Sequence, residues 1–395
     1  MPITQLISVL WTRNMSILNI ALRAFFHLTT LIFIILSIST FLFVTPIFAN
    51  EPVSFKAVTI ANDFDSGYQV VAHDMNGDGM SDLIVLDSRF TELVWFENPK
   101  WERHVLADSM TRMINLTLCG GFLVVAQQFS NRVKDSTGEI VVIMADGSKR
   151  VIDRLPTSHR LRCADIDGSG NMVVINGPLT GVQAIAPEYQ DHVPLVYYIP
   201  GEWKRRFIND ENEGVQHGIY IYDWNGNGKD DILTASFSGI HYYSMNNEWI
   251  RTEIAKGYPG QWPQIGSSDI AIGQADGRYL AAIEPFHGHE VVVYRDGKRV
   301  AIDNTLDQGH TITTGDLNND GRDEIIAGYR GNGQSVNIYY LEDMFWKRTV
   351  LDDGDMAAAS CTVADLNSDS LPDIACIGRA TKNLKWYENQ GQGLK

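Results

Sequence analysis

Five stretches of the chain set oxygen-bearing side chains at alternate positions around a tight turn, the pattern that suits a hard divalent cation. They are Asp74, Asn76, Asp78 and Asp82; Asp165, Asp167 and Ser169; Asp223, Asn225, Asn227 and Asp231; Asp316, Asn318, Asp320 and Glu324; and Asp365, Asn367, Asp369 and Asp373. Counted from the first Asp, donors fall at positions 1, 3, 5 and 9, with glycine usually at position 6. Calcium takes six to eight oxygens and the glycine permits the sharp turn, so Ca2+ is expected in several of these loops. Val173 stands at position 9 of the second loop and Ser370 replaces the glycine of the last; those two sites are expected to be weaker or distorted. Sites repeated along a chain cannot all be one reaction centre, so these ions are expected to be structural staples.

Six residues before the first Asp of three of these loops stands a histidine: His159, His217 and His310. Six residues of strand span about 20 Å, which carries the imidazoles to the face opposite the acidic loops and keeps them from ligating those ions. Loops returning to that same face carry Glu284, His287 and His289; Tyr329 and Arg330; Arg379; and Arg89, and an insertion adds Glu188, Tyr189, Asp191 and His192. Imidazoles with guanidinium groups around one mouth suit two chemistries. Neutral imidazoles ligate a transition metal, here one further divalent ion on the axis, or one of them takes a proton from carbon while an arginine or metal stabilises the enolate. Any single histidine of this kind is accounted for by a hydrogen bond to a neighbouring strand; three in register point to function. His104 and His241, on outer strands, are read as surface residues.

The elements that must position these groups repeat. Equivalent positions 74, 119, 165, 223, 274, 316 and 365 are spaced by 42 to 58 residues. Two of the seven units, around Cys119 and Gln274, keep the strands and lose the acidic loop. Most loops are followed by a short apolar run such as Leu83–Leu86 or Ile374–Ile377, the pattern of a strand covered on both faces. Outer pairs such as Val94–Glu97 with Trp101–Leu106 alternate in and out. This period, strand-rich and without helical periodicity, predicts an all-β fold: a seven-bladed β-propeller over residues 50–395. The last unit ends after its third strand, so the segment Phe55–Ile60 is expected to supply the fourth and close the ring.

Residues 1–49 contain Arg13 and Arg23, no acid, and an apolar run from Leu31 to Val44 that ends in the small residue Ala49. This reads as a signal peptide or, if uncleaved, a membrane anchor, and the rest is expected outside the cytoplasm. Without that segment 30 Lys and Arg face 48 Asp and Glu, a net charge of −18; nucleic acid is thereby excluded as a partner class. Cys119, Cys163, Cys361 and Cys376 lack zinc spacing. Cys361 and Cys376 could pair across one hairpin in an oxidising compartment, but the preferred reading is four small buried residues.

The acidic loops resemble the FG-GAP/VCBS repeats of integrin-like and bacterial exported propellers. The stretches Gly309–Asp316, Glu284–Gly288 and Ala358–Asp365 through Gly378–Asn389 resemble the propeller domain of aldos-2-ulose dehydratase and its bacterial relatives. That resemblance implies metal-assisted dehydration of a keto-sugar such as 1,5-anhydrofructose with a propeller histidine as base. His217 or His310 would be the base, His159 and His287 would bind metal or substrate, and Arg330 and Arg379 would hold anionic oxygens. Glu284, Tyr329, Arg89 and Tyr189 would contact substrate. Fungal members also carry cupin domains, for which no residues remain after the seventh unit, so no isomerising second step is expected. Propeller polysaccharide lyases use similar sets, which makes a uronate the competing substrate; a non-catalytic carbohydrate- or protein-binding propeller is the alternative.

Overall fold

The computed structural model describes residues 53–392, so the signal or anchor segment lies outside the described residues. Seven four-stranded antiparallel sheets stand around an axis. Their innermost strands are Gly67–His73, Asn115–Cys119, Ser158–Ala164, Gln216–Tyr222, Asp269–Gln274, Gly309–Gly315 and Ala358–Ala364, and each packs against the next, the seventh against the first. The chain is a seven-bladed β-propeller. In blade 7 the outermost strand is Val53–Ala61, paired antiparallel with Leu384–Gln392, so strands from the two ends of the described chain share one sheet.

Second strands are buried along their whole length in five blades, as in Asp82–Asp87 and Asp373–Gly378. Each is covered by a blade on either side, which is why these segments read as continuous apolar runs rather than alternating ones. The core therefore lies between blades: Val70, Leu83, Val85 and Phe96 of blade 1 pack with Ala375, Ile377 and Leu384 of blade 7. Each fully buried Leu, Ile or Val contributes about 1.5–3 kcal/mol of transfer free energy. Fourth strands mix half-buried and exposed residues, as in Lys298–Asp303.

The acidic loops are built alike. The carboxylate at position 1 accepts the N–H of position 6 in all five: Gly79 from 2.9 Å, Gly170, Gly228 and Gly321 from 2.8 Å, and Ser370 from 2.9 Å. Ser370 takes the left-handed φ of 69° that glycine takes elsewhere, so the backbone of the last loop is preserved, at a steric cost of order 1 kcal/mol. The acids at position 9 reach inward. Asp82, Asp231, Glu324 and Asp373 each accept the N–H of position 2 in their own loop, at 2.8 to 3.0 Å. The second loop, with Val173 there, is tied from outside: Asp230 of the next blade accepts the N–H of Asp165 at 2.7 Å.

Two expectations are corrected. All four cysteines are paired, Cys361 with Cys376 across one hairpin and Cys119 with Cys163 between blades 2 and 3. They are buried or half-buried as expected, but convergence of inner strands around the axis brings two of them together from 44 residues apart. His241 is not a surface residue: it is 2% exposed, covered inside blade 4 beside Arg251, whose Nη2 lies 3.3 Å from His241 Nδ1 and 2.7 Å from buried Glu213. His104 is partly exposed, stacked on Trp95 and 2.7 Å from Glu97.

Deleting residues 53–61 bares the edge of Leu384–Gln392 and the interface of blade 7 with blade 1. The shortened chain is expected to unfold at lower urea and to associate, because an unpaired edge is a template for further strands. Light scattering and a urea titration against the full chain check this.

Candidate active site

Equivalent residues of inner strands converge on the axis, and a local backbone device aims them there. In blades 1, 3, 4, 6 and 7 the pairing of first and second strands slips by one residue near the mouth. The residues left out of register are Tyr68, His159, His217, His310 and Ala359. A bulge re-aims the side chain it carries and is common beside functional sites. Blades 2 and 5, the two without acidic loops, pair from their first residue with no such shift.

The rings meet. His217 lies 5.0 Å from His159, 5.0 Å from His287 and 5.1 Å from His310, centroid to centroid. One ring nitrogen from each of His217, His287 and His310 falls within 4.8 Å of the others. Hydrogen bonds set their tautomers. His310 Nδ1 donates to the Ala359 carbonyl at 2.7 Å and His217 Nδ1 to the Ser268 carbonyl at 3.2 Å, which leaves both Nε2 lone pairs turned inward. This is how carbonyls orient imidazoles for a metal. Arg160 Nη2 lies 3.3 Å from His217 Nε2, and a bound ion would take that lone pair from it. An all-nitrogen, neutral donor set fits a divalent transition metal rather than calcium.

His159 forms a separate pair. Its Nε2 is 2.8 Å from the Tyr68 hydroxyl, which is itself 3.5 Å from His310 Nε2, and its buried Nδ1 has no protein partner. His287 reaches the group from the 285–289 loop with a left-handed φ of 45°. Gly288 follows it because a Cβ there would lie 2.2 Å from the Glu284 backbone. Phe286 stacks on the His287 ring at 4.0 Å.

A cleft of about 510 Å³ opens onto these rings. Tyr68, His159, His217 and His287 form its polar floor, Phe129, Tyr189 and Phe286 its aromatic sides, and Arg89, Arg112, Arg330 and Arg379 its rim, with no Asp or Glu among the lining residues. Burial first, and then nearby positive charge, that of Arg160 on all four and of Arg330 on His159, His287 and His310, hold the imidazoles well below the ordinary histidine value. Arg330 is brought down to about 10 by burial, with Arg379 and Arg160 adding like charge, and its buried Nη1 has no partner.

Of the residues expected at this mouth, Arg89, Tyr189, His159, His217, His287, Arg330 and Arg379 line the cleft, while His310 lies beneath them. Six do not line it: Glu284, Tyr329, His289, Glu188, Asp191 and His192. Glu284 is fully buried, accepting hydrogen bonds from Tyr294 at 2.7 Å and from Arg299 at 2.9 and 2.7 Å, and burial pushes its carboxyl up to about 7. Tyr329 donates to the Gly333 carbonyl at 2.5 Å and so shapes the loop that carries Arg330. In the insertion, the Glu188 carbonyl accepts from Trp262 at 2.6 Å and Asp191 accepts the Gln183 N–H at 2.6 Å. Tyr68 and Arg112 were not expected; counting six residues back from Asp74 lands on Tyr68, the same register that reveals the histidines.

On the opposite face the acids crowd without compensation. Glu324 is pushed up to about 8 by burial and by Asp320, Asp316 and Asp323 around it, and burial also raises Asp231 and Asp373. Asp74 and Asp223 are held low by the backbone N–H groups of Gly79 and Gly228. An oxygen-only cluster of this kind fits a hard cation.

Residues 135–297 match the family described as aldos-2-ulose dehydratase, β-propeller domain, and residues 316–376 match the FG-GAP-like repeat. The first match points to a carbohydrate-related function. No curated protein matches the chain. The crystal structure of BBS1N in complex with ARL6DN is similar with a TM-score of 0.53 at 13% identity, over 87% of this chain and 98% of that one. The mitotic checkpoint complex gives 0.56 at 10% identity, over 86% and 95%. At such identities the likeness concerns the fold alone.

The four depressed imidazoles have a consequence for stability. Below about pH 6.5 the unfolded chain binds protons that the folded chain refuses, so stability falls as pH drops, by up to about 1.4 kcal/mol per unit for each histidine. Urea midpoints at pH 7.5 and 5.5 should show this loss, and the imidazole nitrogen shifts of all four should stay in the neutral range at pH 6.

Proposed function

We propose that this chain is an exported carbohydrate lyase or dehydratase: it removes a proton from the carbon beside a carbonyl and expels an oxygen from the next carbon. The substrate is a keto-sugar such as 1,5-anhydrofructose, or a uronate, bound in the axial cleft. One observation carries the reading: neutral imidazoles, a tyrosine hydroxyl and an arginine with one Nη lacking a partner meet at a single cleft that no carboxylate lines. The two disulfides support export, since such bonds persist in oxidising compartments.

In this reading His159 is the base. Its Nδ1, buried and without a protein partner, would take the carbon-bound proton, and low basicity keeps it unprotonated at neutral pH. Tyr68, 2.8 Å away, returns a proton to the departing oxygen, so abstraction and departure occur on one side of the sugar. Arg330 donates to the oxygen on which enolate charge develops, where a preorganised donor has most effect. Tyr189, Phe129 and Phe286 flank the sugar ring. His217, His287 and His310 would hold a divalent transition metal, which when bound supplies electrophilic polarisation of the same oxygen. The acidic loops would hold Ca2+ as structural ions.

His159→Ala and His217→Ala are each expected to lower kcat/KM by about 10²–10⁴, read from the ultraviolet absorbance of the conjugated product, with unchanged circular dichroism. Full turnover in both variants contradicts these roles, and binding without turnover across keto-sugars and uronates supports a non-catalytic carbohydrate-binding propeller instead. Dialysis against a chelator is expected to lower Tm, and excess Ca2+ to restore it; a site filled at a hundred times its Kd contributes about 2.7 kcal/mol.

A further inference from the structure

Below the histidines the axis holds a second chamber of about 180 Å³, which shares only Tyr68 with the cleft. Two guanidinium groups face it, Arg160 and Arg162. They stand two residues apart on the inner strand of blade 3 and so share one side of it, past the slip that turns His159 toward the mouth. Arg160 is 6% exposed, and its one hydrogen bond among the described residues is to His217 Nε2, at 3.3 Å. Arg162 donates through Nη1 alone, to the Leu161 carbonyl at 2.8 Å and Asn115 Oδ1 at 3.4 Å. The Nε and Nη1 of Arg160 and the Nε and Nη2 of Arg162 therefore have no protein acceptor among the described residues.

The one carboxylate in the chamber, Asp269, answers them only through space: its single side-chain hydrogen bond comes from the Ile270 N–H at 3.1 Å, and it makes no close ion pair with either arginine among the described residues, although both charges act on its carboxyl against burial. Two cations, Arg160 buried and Arg162 half-buried, thus share the chamber with one acid. A buried charge is costly unless it is paired and hydrogen-bonded. Water supplies acceptors but no countercharge. Burial first, and then the charge of Arg160, bring Arg162 down to about 10 against the opposing charge of Asp269.

We propose that the chamber binds a small inorganic anion, a halide or an oxyanion such as phosphate, between Arg160 and Arg162. Guanidinium forks match oxyanions and accept halides equally through N–H donors. The site is separate from the sugar cleft, and its occupancy does not depend on whether the cleft is catalytic. Its electrostatic effect does reach upward: an anion there offsets the Arg160 charge that bears on His217 and His159.

Crystals of the full chain soaked in sodium bromide, and others in phosphate, test this. An anomalous bromine peak or tetrahedral density between the two guanidinium groups is expected, lost in Arg162→Gln and kept in Arg162→Lys. Water alone in both soaks of the unaltered protein overturns the proposal, as does a peak that persists undiminished in Arg162→Gln. If Arg162→Gln does not fold, the soaks of the unaltered protein decide.

Discussion

A one-residue slip in strand pairing, repeated near the mouth of five inner strands, is the constraint on which the axial site depends. In an unbroken strand successive side chains point to opposite faces, and His159 and Arg160 could not both be directed toward the axis. The slip removes one residue from the ladder and turns it toward the mouth. In three blades that residue is a histidine, and in a fourth it is Tyr68. Closure of seven sheets around one axis then brings residues from distant parts of the chain within hydrogen-bonding reach, as in the contact of Tyr68 with His159, 91 residues apart.

Charge is sorted by the same architecture. Acidic loops occupy one end of five of the seven inner strands, where aligned backbone N–H groups and crowded carboxylates suit a hard cation. The other end gathers imidazoles and arginines without a single lining carboxylate. In a chain so acidic overall this separation is not a compositional accident. Burial keeps the imidazoles neutral, a neutral imidazole is what either a base or a metal ligand requires, and the arginines supply the positive field for oxygen anions. The FG-GAP-like match and the aldos-2-ulose dehydratase propeller match fall on different parts of the chain, one informative about the fold and the other about carbohydrate.

Blade number, the loops and the three in-register histidines were legible because they are local signals: an acidic loop, an apolar run and a fixed count between them. What escaped depends on events that spacing does not record. Arg160 adjoins His159, and regular alternation would have sent it to the opposite face; the slip cancels that alternation. Glu284 stands in a mouth loop by sequence yet is captured by Arg299 and Tyr294 of its own blade. The Cys119–Cys163 bond and the burial of His241 arise between neighbouring blades or strands, where pairing partners are set by tertiary packing. Tyr68 stands at the same six-residue register, but a tyrosine there carries no metal-ligand signal of its own.

The central claim is that His217, His287 and His310 form one nitrogen-donor centre at the axial mouth. Cobalt(II) titration of the chelator-stripped full chain, with the acidic loops saturated by Ca2+, tests it most directly through the intensity of the visible d–d bands. The account predicts one equivalent of intense, nitrogen-type absorption that disappears in His287→Ala. Absence of any such band in the unaltered protein, or its survival in His287→Ala, would contradict it.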